Sequence, residues 1–166
     1  MGGGVDIDRK NGGFLTYKYE SNEMIGGVKV VEKKTEYKTG RDEPPPPHSG
    51  KSEMYFGMDR NGRIDTLKIY QDRNSRIEIH THREKSGNHI NPEGTPHFHV
   101  YKVIRENGKV VGVKRVDRAM KLTTYLINKY GALLEMARQR NIAHGFNDPP
   151  LNYNSFVEKP KPKRKP

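Results

Sequence analysis

The sequence predicts an α+β fold: an antiparallel sheet of about five to seven strands, built as a meander with hairpins, packed against one long C-terminal helix between flexible ends. Three observations predict it. Short segments alternate apolar and polar residues and are separated by Asn-Gly or Asn-Ser corners. One later segment spaces its apolar residues by three and four. Both ends are poor in core-forming residues.

The opening MGGGVDIDRKNGG (1–13) is glycine-rich and polar and reads as a mobile arm. A single α+β domain is expected over 14–146. FLTYKYE (14–20) and VKVVEKKTEYK (28–38) have the alternation of strands, with Ser21, Asn22, Gly26 and Gly27 between them, so they form a first hairpin. TGRDEPPPPHSG (39–50) interrupts the pattern, and its four consecutive prolines make a stiff spacer inside the domain. EMYFGM (53–58), RIDTLKIY (63–70) and RIEIHTH (76–82) follow as a meander with DRNG and DRNS at its corners. After a longer loop, HFHVYKVI (97–104) turns at Glu106-Asn107-Gly108 into KVVGVKRV (109–116).

Asp117 is a candidate helix cap. From 118 to about 143, apolar residues at 119, 122, 126, 130, 133, 134 and 137 form one buried stripe. Gly131 weakens that helix and His144-Gly145 ends it. Residues 147–166 read as a flexible basic tail, in which Lys159, Lys161, Lys163, Arg164 and Lys165 lie among prolines.

Composition narrows the function. Lys and Arg number 31 against 20 Asp and Glu, a formal charge of +11, which concentrates polyanions such as nucleic acid around the chain. No run approaches the roughly 18 apolar residues of a spanning helix, and the N-terminus lacks the apolar core of a secretory signal. A cytoplasmic or virion-associated protein with no membrane partner is therefore expected. There is no cysteine, so disulfides and thiolate metal sites are excluded and any metal would need imidazole, carboxylate or water.

Five of the seven histidines fall between 76 and 101, four of them as His80/His82 and His97/His99. Strand alternation puts Glu78, His80 and His82 on one face, and His97, His99 and Tyr101 on one face of the later strand. If those strands pair antiparallel, the imidazoles gather with neighbours about 5 Å apart. Such a cluster suits proton exchange near neutrality, one ring taking the 2′-hydroxyl proton of RNA and another assisting the leaving oxygen, with no cofactor. Arg83, Lys85 and Lys102 are then candidate phosphate binders. The same four histidines, with Glu78 or Glu93, could instead hold a borderline metal. A polar surface without chemistry is the third possibility. His89 is held in reserve, and His48 and His144 are read as incidental. Lys68, Arg73, Arg76, Lys114 and Arg115 are read as solvated surface, and Tyr17, Tyr55, Tyr70 and Tyr101 as core rather than base-stacking platforms.

The stretch FGMDRNGRIDTLKIYQDRNSRIEIHTHREKSGNHINPEGTPHFHVY resembles small proteins of phages and mobile elements and the domains called polymorphic toxin type 24. The shared pattern is strand, Asn/Asp-Gly turn, strand ending in a Tyr-Asp-like pair, histidine strand, and a downstream Pro-His-x-His. Its strongest element is Thr95-Pro96-His97-Phe98-His99. The resemblance covers residues 53–101, about thirty per cent of the chain. It implies a compact β-rich domain with ribonuclease-type activity at His80, His82, His97 and His99. RNA is then the expected substrate, with DNA second and an inhibitor protein as a further partner. Two other readings stay open: a non-catalytic virion or DNA-packaging component that binds nucleic acid or neighbouring subunits through its tail, and a histidine-based metal hydrolase.

Overall fold

The computed structural model describes residues 5–7, 17–33, 54–59, 61–72, 74–81, 84–86, 89–91, 95–116 and 118–154. Its centre is the expected meander: β4 (Met54–Met58), β5 (Ile64–Tyr70) and β6 (Ser75–His80), all antiparallel. Asp59 closes the first corner by accepting the amides of Asn61 and Arg63 at 2.8 and 3.0 Å, and Gly62 takes a φ of 85° there. Asp72 does the same at the second corner for Asn74 and Ser75.

Strand β9 (His97–Glu106) lies antiparallel beside β6, and β10 (Lys109–Arg115) returns from it through Asn107-Gly108, both at positive φ as a hairpin turn of this kind requires. On the other side, β2 (Tyr17–Ile25) and β3 (Val28–Lys33) form the first hairpin, turning at Gly26-Gly27. The register shift between Glu20 and Glu23 accommodates Ser21 and Asn22 inside β2, where the sequence suggests a break.

Several expectations need correction. The sheet is mixed, because β3 pairs parallel to β4. Residues 34–53 are long enough for the crossover that a parallel neighbour requires. The proline spacer 39–50 lies outside the described residues. The glycine-rich arm contains β1 (Val5–Ile7), whose Val5, Asp6 and Ile7 pair with Tyr19, Lys18 and Tyr17. Two β-branched residues in alternation are enough to extend the sheet. The loop after β6 contains a small separate pair, β7 (Glu84–Ser86) and β8 (His89–Asn91).

The helix also starts later than its periodicity suggests. Met120 and Lys121 form β11 (Met120–Lys121), extended against Phe98 and His97 of β9. Helix α1 (Thr124–Ala143) begins only after Thr123, whose hydroxyl accepts the Leu126 amide at 3.2 Å. Ala119 and Leu122 are buried, so their three-residue spacing reports burial in an extended stretch rather than a helical turn. The helix runs unbroken through Gly131, where an added Cβ would meet the Tyr153 hydroxyl at 3.3 Å.

Sheet and helix enclose one apolar layer. Phe56, Leu67, Ile69, Ile77, Ile79 and Phe98 from the strands meet Leu126, Tyr130, Leu134 and Ala137. Burying each large aliphatic side chain contributes roughly 1.5–3 kcal/mol. Two polar clamps fix the helix direction. Arg140 grips both carboxylate oxygens of Glu23 at 2.8 and 3.0 Å. Asn141 is 1% exposed and bonds both backbone groups of Ile64 at 2.9 Å.

The segment after the helix is tied down as far as it is described, so residues 147–154 do not form the flexible tail expected there. Asp148 joins Arg63 and Asn141, each at 2.8 Å, Arg138 donates to the Pro149 carbonyl, and Leu151 and Tyr153 pack against the core. The tail cations Lys159, Lys161, Lys163, Arg164 and Lys165 lie outside the described residues. No described helix is long and apolar enough to cross a membrane.

Candidate functional site

The face of the sheet turned away from the helix is apolar at one end and ionic at the other. Tyr55, Tyr70 and Val103 form a small buried cluster. Beside it, alternation along β6 puts Arg76, Glu78 and His80 on the same face, and alternation along β9 adds His97, His99 and Tyr101. The register then sets who meets whom: His80 stands opposite His97, Glu78 opposite His99, and Arg76 opposite Tyr101.

Of the four imidazoles expected to gather, His80, His97 and His99 come together. Ring centroids are 5.4 Å apart for His80 and His97, 4.9 Å for His80 and His99, and 5.3 Å for His97 and His99. Their burial is unequal. His97 and His99 are 0% and 1% exposed, whereas the His80 side chain retains 14%. His80 is therefore the member that solvent or a substrate can reach.

Glu78 is the electrostatic hub. It forms a salt bridge with Arg76 through one oxygen and lies 2.9 Å from His80 Nε2 through the other. Burial pushes its carboxyl up, but the Arg76 guanidinium, the His80 hydrogen bond and the charge of Lys68 outweigh that and hold it well below the usual carboxylate range. An ionised Glu78 fixes the His80 ring, because Nε2 must carry the proton it donates. Arg76 is held in turn by the Tyr70 hydroxyl and lies 4.9 and 5.7 Å from the ring centroids of Tyr101 and Tyr70. His97 Nδ1 lies 3.5 Å from the Thr95 carbonyl oxygen.

The other candidates divide clearly. His82, Arg83, Glu93 and His48 lie outside the described residues. Lys85 belongs to β7 and His89 to β8, whose backbone alone is described. Lys102 alternates to the opposite side of β9 from the imidazoles and is exposed, so it does not join them. His144 caps the helix, its Nδ1 2.9 Å from the Arg140 carbonyl oxygen. Among the described residues, Arg76 and Lys68 reach the cluster, and both read as solvated surface from sequence alone. The signal that could have found them is the two-residue spacing of 76, 78 and 80, with Lys68 opposite Glu78 on β5.

What the arrangement can hold is defined by the nitrogens. One ring atom from each of His80, His97 and His99 lies within 4.8 Å of the others. A small cavity on the helix side, lined by Leu67, Ile79, Leu134 and Asn141, measures about 10 Å³. That is room for about one water. Compared with protein-family models, curated proteins and solved structures, the chain matches none.

Proposed function

We propose that this domain cleaves phosphodiester bonds of nucleic acid, RNA before DNA, at the histidine face. The observation that carries the reading is the convergence of His80, His97 and His99 beside an ionised Glu78, on a chain whose +11 charge attracts polyanions. The resemblance to polymorphic toxin type 24 domains points the same way.

Two chemistries lead from these residues to a broken P–O bond. In the metal-free one, the 2′-oxygen bonds to phosphorus, the 5′-oxygen leaves, and imidazoles carry the proton from one to the other. In the metal-assisted one, a water oxygen bonds to phosphorus as the bond to the leaving oxygen breaks, and the proton that the water gives up is matched by the one that the leaving oxygen takes up. A general acid must come within about 2.6–3.2 Å of the atom it protonates. A metal ligand need reach only the ion. The burial of His97 and His99 thus favours the second route, with His80 at its exposed edge.

Incubating the purified chain with matched RNA and DNA oligonucleotides tests the reading. Cleavage is expected, with His80→Ala slower by roughly 10²–10⁴. Intact oligonucleotides under all metal conditions would refute it. The competing binding role is favoured by the five cations at 159–165. It requires that deleting 158–166 lower the salt dependence of RNA affinity by roughly 0.7 for each phosphate that is no longer neutralised, with no cleavage by the intact chain.

A further inference from the structure

We propose that His80, His97 and His99 bind one divalent transition-metal ion of the zinc class. The site stands on geometry alone. Its role as the cofactor of cleavage rests on the function proposed above.

Three features support a ligand site rather than a polar patch. First, three imidazole donors come from two hydrogen-bonded strands, with their ligand atoms within 4.8 Å of one another. An ion bound at about 2.0–2.1 Å from each requires nitrogens about 3.3 Å apart, so the three nitrogens, now within 4.8 Å of one another, must close in when it binds. Second, two of the rings already have outer partners. Glu78 holds one nitrogen of His80 at 2.9 Å, and the Thr95 carbonyl oxygen lies 3.5 Å from one nitrogen of His97. A carboxylate or carbonyl behind an imidazole is the usual support of a ligating histidine, and it leaves the other nitrogen to face the ion. Third, the rings differ in exposure. Two buried ligands and one at the edge leave the outward coordination position for water or substrate, as in three-ligand catalytic sites.

The local charge selects the class of ion. Glu78 is engaged by Arg76 and lies beside Lys68, so among the described residues the cluster has no spare carboxylate to attract a hard cation. Magnesium and calcium prefer oxygen-rich sites, whereas neutral imidazoles suit zinc, copper, nickel and cobalt(II).

The test uses the full chain, stripped with a chelator and titrated with zinc chloride against a colorimetric chelator. Cobalt(II) is the spectroscopic probe. Expected are one zinc per chain, a visible cobalt band, and a melting temperature that rises with zinc. His80→Ala, at the exposed edge, should weaken zinc binding at least 100-fold without loss of fold. Glu78→Gln should weaken it about 10–100-fold. His144→Ala should change nothing. Absence of zinc binding by the wild type below about 10 μM, or equal affinities for His80→Ala and His144→Ala, would overturn the site. RNA assays on the same samples separate the two proposals. Zinc binding without cleavage leaves the site standing and sinks the nuclease reading. Full cleavage by metal-free protein that binds no zinc does the reverse.

Discussion

His80 and His97 stand directly opposite each other on β6 and β9, with ring centroids 5.4 Å apart and ring planes inclined by 59°. That register governs everything on this face of the sheet. A slip of one residue would send the imidazoles into the apolar layer and Ile79 and Phe98 out of it.

The same alternation gives a prediction for Lys102. Although it lies three residues from His99 in sequence, it belongs to the other side of β9 and is exposed. Lys102→Ala is expected to leave zinc affinity and cleavage rate within about twofold of wild type, as for an exposed residue away from the site. Loss of tenfold or more in either assay would contradict the face assignment.

Arg76 and Glu78 are buried and joined by a salt bridge. Arg76→Met strands a buried carboxylate and is expected to cost up to about 3–5 kcal/mol in urea unfolding, towards the lower figure because His80 and Lys68 still favour the charge. Adding Glu78→Leu should recover much of that loss. Additive effects in the double-mutant cycle would show that the two residues do not act as a pair.

Asn141→Ala removes the partner of both backbone groups of Ile64 and one partner of Asp148. Each buried group left unsatisfied costs roughly 1–3 kcal/mol. Denaturation should therefore shift by several kcal/mol, and the Ile64 amide should exchange faster with deuterium. Unchanged exchange at Ile64 would mean that the helix is held elsewhere.

Gly26 and Gly27 share a turn and positive φ, yet their surroundings differ. A Cβ on Gly26 would come within 2.7 Å of Leu133 Cδ2, whereas one on Gly27 meets nothing within 4 Å. Gly26→Ala should thus lower the melting temperature more than Gly27→Ala, and Leu133→Ala should narrow the gap between them. Equal losses would assign the whole effect to backbone strain.

The meander, the last hairpin and the imidazole cluster are legible in the sequence because they depend on short-range rules: period-two alternation, Asn-Gly corners and one register. Arg76 is easily misread for a related reason. A charge on a strand looks solvated until the neighbouring strands bring Tyr101 and Tyr70 around it and leave it paired with Glu78 of its own strand. The β3–β4 pairing and β11 are not legible, since a parallel neighbour has no turn signal between its strands and a two-residue strand is too short to show alternation. The helix start is misplaced by periodicity because Ala119 and Leu122 mimic helical spacing while lying in an extended segment. Asp148 reads as tail because a polar residue before two prolines gives no local sign that Arg63 and Asn141 await it.

The parallel seam between β3 and β4 also dictates an order of assembly. The strands from β4 to β6 can zip through their corners, each joining neighbours a few residues apart. The β2–β3 hairpin can close on its own but can dock only after the ends of 34–53 come together, a step opposed by chain entropy. Kinetic protection should accordingly appear in β4 to β6 before it reaches Val30 and Val31, so the central meander takes shape while the far edge of the sheet is still being recruited.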